Sequence, residues 1–111
     1  MTLRQVAKAQ WQSYFDRVST ELGAKLVEIE VTGVGLGDQV EAEWIPLFGL
    51  SYDPANDLVA VIAEGVRHLI RHPKQIHVEH DTEWLRSVEV IDAEGVHHFV
   101  LLRDPLSLPA P

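Results

Sequence analysis

Val27, Ile29 and Val31 alternate with Glu28 and Glu30, and after a short glycine-rich stretch Val40, Ala42 and Trp44 alternate with Glu41 and Glu43. A period of two places the apolar side chains on one face of a strand and the glutamates on the other. Such segments must pair and lay their apolar face on a core. A hairpin about Gly33-Val34-Gly35-Leu36-Gly37-Asp38 sets Val27 opposite Trp44, Ile29 opposite Ala42 and Val31 opposite Val40, because a slip of one residue would turn glutamates inward. Glu28 then faces Glu43 and Glu30 faces Glu41. Four carboxylates share one exposed face, where directly opposed like charges destabilise.

Elsewhere the period changes. Trp11, Tyr14, Phe15, Val18 and Leu22 fall on one stripe of a helix, predicted over Ala9 to Leu22 and ended by Gly23. Pro46 interrupts the stretch after Trp44, Asp53 to Asp57 reads as a turn, and Leu58 to Ala63 is an apolar run of strand length, expected to be buried on both faces. Val66, Leu69 and Ile70 predict a short second helix from about Gly65 to Arg71, stopped by Pro73. Gln75 to His80 reads as a strand, and Leu85 to Ile91 with Val96 to Arg103 as a hairpin closed by Asp92-Ala93-Glu94-Gly95. The expected fold class is α+β: an N-terminal amphipathic helix packed on a twisted, mainly antiparallel sheet of about six strands, with a short second helix. It occupies one domain, residues 1–103, and the proline-rich tail 104–111 is expected to be mobile or laid over the surface.

The chain has 111 residues and no cysteine, which removes disulfides, thiolate nucleophiles and Cys-based metal sites. No apolar run approaches the roughly 18 residues of a membrane-spanning helix, and Met1 to Lys8 lacks the pattern of a signal peptide, so a cytoplasmic protein is expected. The net charge of -8 is unevenly laid out: eight acids and no base lie between Lys25 and Arg67. Arg67, His68, Arg71, His72, Lys74 and His77 then form the most basic stretch. An acidic chain of this kind is not expected to bind nucleic acid or an anionic membrane, which select clustered Lys and Arg.

Four histidines suggest a divalent metal, the one cofactor the sequence offers. On a helix His68 and His72 would share a face, with His77, His80 and Glu79 close behind. The alternative is that they are solvated or satisfied in the core. His97 and His98, adjacent in a strand, point to opposite faces and cannot chelate together. Gly33, Gly35 and Gly37 resemble part of a phosphate-cradling loop, but Asp38 stands where the last glycine belongs and a strand follows instead of a helix. No Ser lies in a nucleophile elbow, and the paired glutamates lie on an open face, so no catalytic residue is assigned.

The segments WQSYFDRVSTEL from Trp11, VEAEWIPLFGLSYDPANDL from Val40, HLIRHPKQIHVEHD from His68 and SVEVIDAEGVHHFVLLR from Ser87 resemble a family of small uncharacterised bacterial proteins catalogued only as a domain of unknown function. The likeness spans nearly everything before the tail, which departs from the pattern. It implies a stand-alone bacterial domain and transfers no site. From the residues themselves, the first expectation is a non-enzymatic interaction domain whose partner is itself, as a homodimer, or another protein. Its contacts would be Glu28, Glu30, Glu41 and Glu43 on the acidic face and Arg67 and Arg71 in the basic segment. The second is a metal-binding protein using His68, His72, His77 and His80; the third is a small-molecule binder with a pocket between the first helix and the sheet, lined by Trp44 or Trp84.

Overall fold

The computed structural model describes residues 2–33, 35, 37–81 and 84–105. The elements are β1 (Thr2–Gln5), a single 3-10 turn (Lys8–Gln10), α1 (Trp11–Thr20), β2 (Lys25–Gly33), β3 (Gly37–Asp53), β4 (Leu58–Ala63), β5 (Val66–Arg71), β6 (Pro73–His80), β7 (Leu85–Asp92) and β8 (His97–Arg103). All eight strands form one sheet in the order β1-β6-β7-β8-β2-β3-β4-β5, antiparallel throughout. The protein is mainly β, with strand over 65% of the described residues and one short helix, which corrects the expected α+β fold of about six strands and two helices.

The correction has physical causes. Val66, Leu69 and Ile70 have helical spacing, but six residues are too few to sustain a helix, while a strand there gains a complete ladder with β4. The turn Glu64-Gly65, with Gly65 at φ +70°, folds β5 back so that Val66 pairs with Ala63. The missed β1 is short and polar, with no period to read, and it pairs with β6 from Thr2↔His80 to Gln5↔His77. Pro46 does not end a strand either: β3 runs through it. Trp44 at φ +49° makes an irregularity just before Pro46, the kind of place where a strand tolerates the missing N–H.

β3 is the corner of the sheet. Its first part, Gly37 to Leu47, pairs with β2, and its second, Leu47 to Asp53, pairs with β4. Ile29 faces Ala42 as the hydrophobic pattern requires, but bulges on either side set Val27 opposite Ile45 and Val31 opposite Gln39. The sheet is strongly curled. β5 and β8 stand four places apart, roughly 19 Å in a flat sheet, yet the rings of His68 and His98 lie 5.1 Å apart.

Helix α1 fills the concave side. Trp11, Tyr14, Phe15 and Val18 are buried; Trp11 meets Tyr52 of β3 edge-on at 5.1 Å, and Tyr14 meets His80 of β6. The Ser19 hydroxyl accepts from the Leu50 N–H and donates to the Leu50 carbonyl, fixing the helix to β3. The Trp11 indole N–H donates to the Val6 carbonyl at 2.8 Å, and the Val6 N–H donates to Ile76, which ties the chain before α1 to β6. Phe15, Val27, Ile29, Val61, Ile76, Val78 and Val90 have no exposed surface and form the centre of the core. The β4 limits are those expected, but its burial alternates, with Val59, Val61 and Ala63 inward. The β7–β8 hairpin also forms where predicted, Val88 facing Val100. Lys25 pairs with Asp104, and the tail beyond Pro105 lies outside the described residues. Among the described residues no helix is long and apolar enough to cross a membrane.

Candidate functional site

The acidic face is built by β2 and β3. The bulges rearrange the expected pairs: Glu30 stands opposite Val40, and Glu41 acts on His68 of β5. Glu28, Glu30 and Glu43 remain together. The Glu28 pKa is raised, first by loss of solvation and then by the neighbouring Glu30 and Glu43 charges, with Arg103 opposing. Arg103 lies with its guanidinium 3.9 Å from the centre of the Trp44 ring, and its Nε is buried without a hydrogen-bond partner among the described residues. Arg67 and Arg71 are exposed on β5, an end strand of the sheet, while His68 and Ile70 point inward.

The four histidines read as ligands each have a separate partner. His68 bonds His98, His72 approaches Asp57 at 3.4 Å, His77 meets Gln75, and His80 meets the Tyr14 hydroxyl at 2.8 Å. The i, i+4 face disappeared with the predicted helix: strand β5 sends His68 inward, and His72 lies beyond it at φ +54°. β6, which carries His77 and His80, stands six places from β5 in the sheet order. Among the described residues no three His, Asp or Glu stand together in an arrangement able to hold a metal.

What β5, β7 and β8 bring together instead is a chain of three side chains. Asp92 Oδ2 lies 3.0 Å from His98 Nε2, and His98 Nδ1 lies 2.9 Å from His68 Nε2. Burial works to raise the Asp92 pKa, but hydrogen bonds from His98 and from the backbone N–H groups of Val96 and Glu94 outweigh it, and the carboxyl is held below its ordinary range. An ionised carboxylate only accepts, so His98 Nε2 donates to it. With both rings neutral, His98 Nδ1 must then accept from His68 Nε2, leaving the His68 Nδ1 lone pair at the end of the chain. The sequence marked His68 and His98 separately, but nothing in their spacing told that the sheet curls far enough for them to meet.

His68 has its pKa lowered by burial and by His98, against the pull of Glu41, and that of His80 is lowered by burial and by Arg4 and Arg17, against Asp81. In both cases the unfolded chain, with a histidine pKa of about 6.5, takes up the proton first. The stability these groups confer is therefore complete above about pH 6.5 and is lost as pH falls through that value toward the folded pKa. Thermal melts are expected to fall in this window and to flatten there in the H68Q/H80Q variant; an unchanged slope in the variant would assign the loss to other groups.

A second loop-end cluster was not legible in the sequence. The buried Tyr52 hydroxyl donates to Asp57 Oδ1 at 2.7 Å, and burial together with Asp57 pushes the tyrosine pKa up to about 12. Lys8, Gln12, Tyr52 and Asp57 line an open cavity of about 410 Å³. On the opposite flank of α1, Tyr14 and Arg17 border two further cavities. One, of about 260 Å³, is shared with Arg4, Gln10 and Ser13; the other, of about 190 Å³, is shared with Glu21, His80, Trp84 and Leu85. Trp84 thus lines a space between the first helix and the sheet, whereas Trp44 is stacked under Arg103 and does not.

An uncharacterised protein of the bacterium Aquifex aeolicus (strain VF5) is 41% identical over 110 residues, covering 98% of this chain and 99% of its own. No solved structure matches. The profile of a family of unknown function, DUF5335, matches residues 2–111, so the tail that departed from the expected pattern falls inside the match. The extent of both matches shows that the chain belongs to the DUF5335 family.

Proposed function

We propose that the protein is a non-enzymatic self-association domain in which Arg67 and Arg71 on the β5 edge of one copy meet Glu28, Glu30 and Glu43 on the acidic face of another. The observation that carries this reading is the gathering of those three carboxylates, close enough to raise the Glu28 pKa, with Arg103 as the cation that opposes them. Two exposed arginines of opposite sign lie on an end strand of the same sheet, and neither is in an ion pair among the described residues. In a two-fold dimer each such contact occurs twice, and a charge-matched edge selects its own partner while discouraging uncontrolled strand pairing.

Sedimentation velocity at low ionic strength tests the reading, because salt screens exposed pairs. The parent is expected to dimerise, E30R/E43R and R67E/R71E each to weaken the dimer by about tenfold or more, and the fourfold reversal to restore it. A parent that stays monomeric, or a fourfold variant no better than either double variant, would overturn the proposal.

A further inference from the structure

We propose that Arg4, Ser13, Tyr14 and Arg17 form a binding site for the oxyanion group, phosphate or carboxylate, of a small molecule. It lies apart from the association surface and does not depend on it. Gln10, Ser13, Tyr14 and Arg17 recur at i, i+3, i+4 and i+7 and so share one face of the α1 segment, and Arg4 of β1 completes the wall. Two guanidinium groups converge on a single ring: Arg4 Cζ lies 5.4 Å and Arg17 Cζ 5.7 Å from the centre of Tyr14. Tyr14 is itself held by the 2.8 Å hydrogen bond to His80, so the platform between the cations is fixed from behind.

In a chain of net charge -8, cations have acids to choose from, yet neither Arg4 nor Arg17 is in an ion pair among the described residues. Like charges brought to one ring without a counter-ion among the described residues repel, and an anion in the cavity that both line removes the repulsion while accepting charge-assisted hydrogen bonds. No acidic residue occupies the first turn of α1, so the positive end of the helix adds to the same field. Both arginines act to lower the pKa values of Tyr14 and His80, which shows that their fields meet at this pair; Glu21, which caps the C-terminal end of α1, lines the adjoining cavity, and Asp81 beyond β6 acts on His80 in the opposite sense.

The geometry also limits the ligand. The 260 Å³ cavity takes the oxyanion, and the adjoining 190 Å³ cavity, lined by Glu21 and His80 as well as by Trp84 and Leu85, takes a small body with both polar and apolar surface. The Ser13 hydroxyl, which now donates to the Gln10 carbonyl at 3.2 Å on the exposed surface, is free to turn toward the anion.

The test is a titration of the full chain with inorganic phosphate and, separately, with citrate, followed by NMR of the His80 ring and by Trp fluorescence. Saturable binding of either anion in the millimolar range is expected, with the His80 pKa rising as the two cations are neutralised; which anion binds more tightly separates a phosphate from a carboxylate ligand. R4Q and R17Q should each weaken binding about tenfold, the loss of one charge-assisted contact. K74Q, which removes an exposed charge from β6 outside the site, should leave binding unchanged. Absence of saturation with both anions, or an equal loss in K74Q, would overturn the proposal. Thermal melts of the variants confirm that these exposed substitutions leave the fold intact.

Discussion

Replacing Trp11 by alanine is expected to lower the free energy of unfolding by about 3–5 kcal/mol, a large share of what a domain of this size possesses. The indole is 2% exposed, packs edge-on against Tyr52 and donates its N–H to the Val6 carbonyl. Alanine leaves a void at the junction of α1 and β3, and it leaves the Val6 carbonyl without its donor just where the chain enters the core. Urea unfolding followed by circular dichroism measures the loss. W11F keeps a ring against Tyr52 and forfeits the hydrogen bond, so an intermediate loss of about 1–2 kcal/mol is expected and remains measurable if the alanine variant fails to fold. A loss below about 1 kcal/mol in W11A would mean that α1 does not hold the concave face together.

The second large effect is expected at Asp92. Its Oδ1 accepts from the Glu94 and Val96 N–H groups and its Oδ2 from His98, so D92A strands three donors, one of them on a buried ring, at a cost of about 2–3 kcal/mol. D92N is the informative companion. Its amide oxygen continues to serve the turn, but its NH₂ donates toward His98 Nε2, which must then accept. The donor order of the chain reverses: His98 Nδ1 donates and His68 Nε2 accepts. Nitrogen-15 NMR of the two imidazoles reads the tautomers directly. Unchanged tautomers in D92N, or parental stability in D92A, would show that the carboxylate does not order the histidines.

Much of this architecture could be read from local pattern, and the failures share a cause. The aromatic stripe from Trp11 to Val18, the β4 run and the β7–β8 hairpin were visible because each is decided by neighbours in sequence. Val66 to Arg71 was misread because its apolar positions satisfy a helix and a strand at once, and only the ladder with β4 decides between them. Pro46 was misread because the irregularity that accommodates it, at Trp44, leaves no mark in composition. The same holds for the sites. The glutamates were visible as a face, but the bulges that detach Glu41 from it were not. Asp92 with His98 and His68, and Tyr14 with Arg4, Arg17 and His80, join residues far apart in the chain, Tyr14 and His80 by 66 positions, and one sequence carries no signal for such meetings.

The strand order also sets a timetable for synthesis. β2 to β5 form one meander and β6 to β8 another, and their ladder runs between β8 and β2, Glu28 opposite Leu101 and Ile29 opposite Val100. As the chain leaves the ribosome, the first meander can assemble early, but its β2 edge, with Val27 and Ile29 bound for the core, stays open until residues up to Arg103 have emerged. The β2 edge is thus a surface on which the nascent chain is exposed to a neighbouring chain, and β8, which protects it, follows every other strand of the sheet in the sequence.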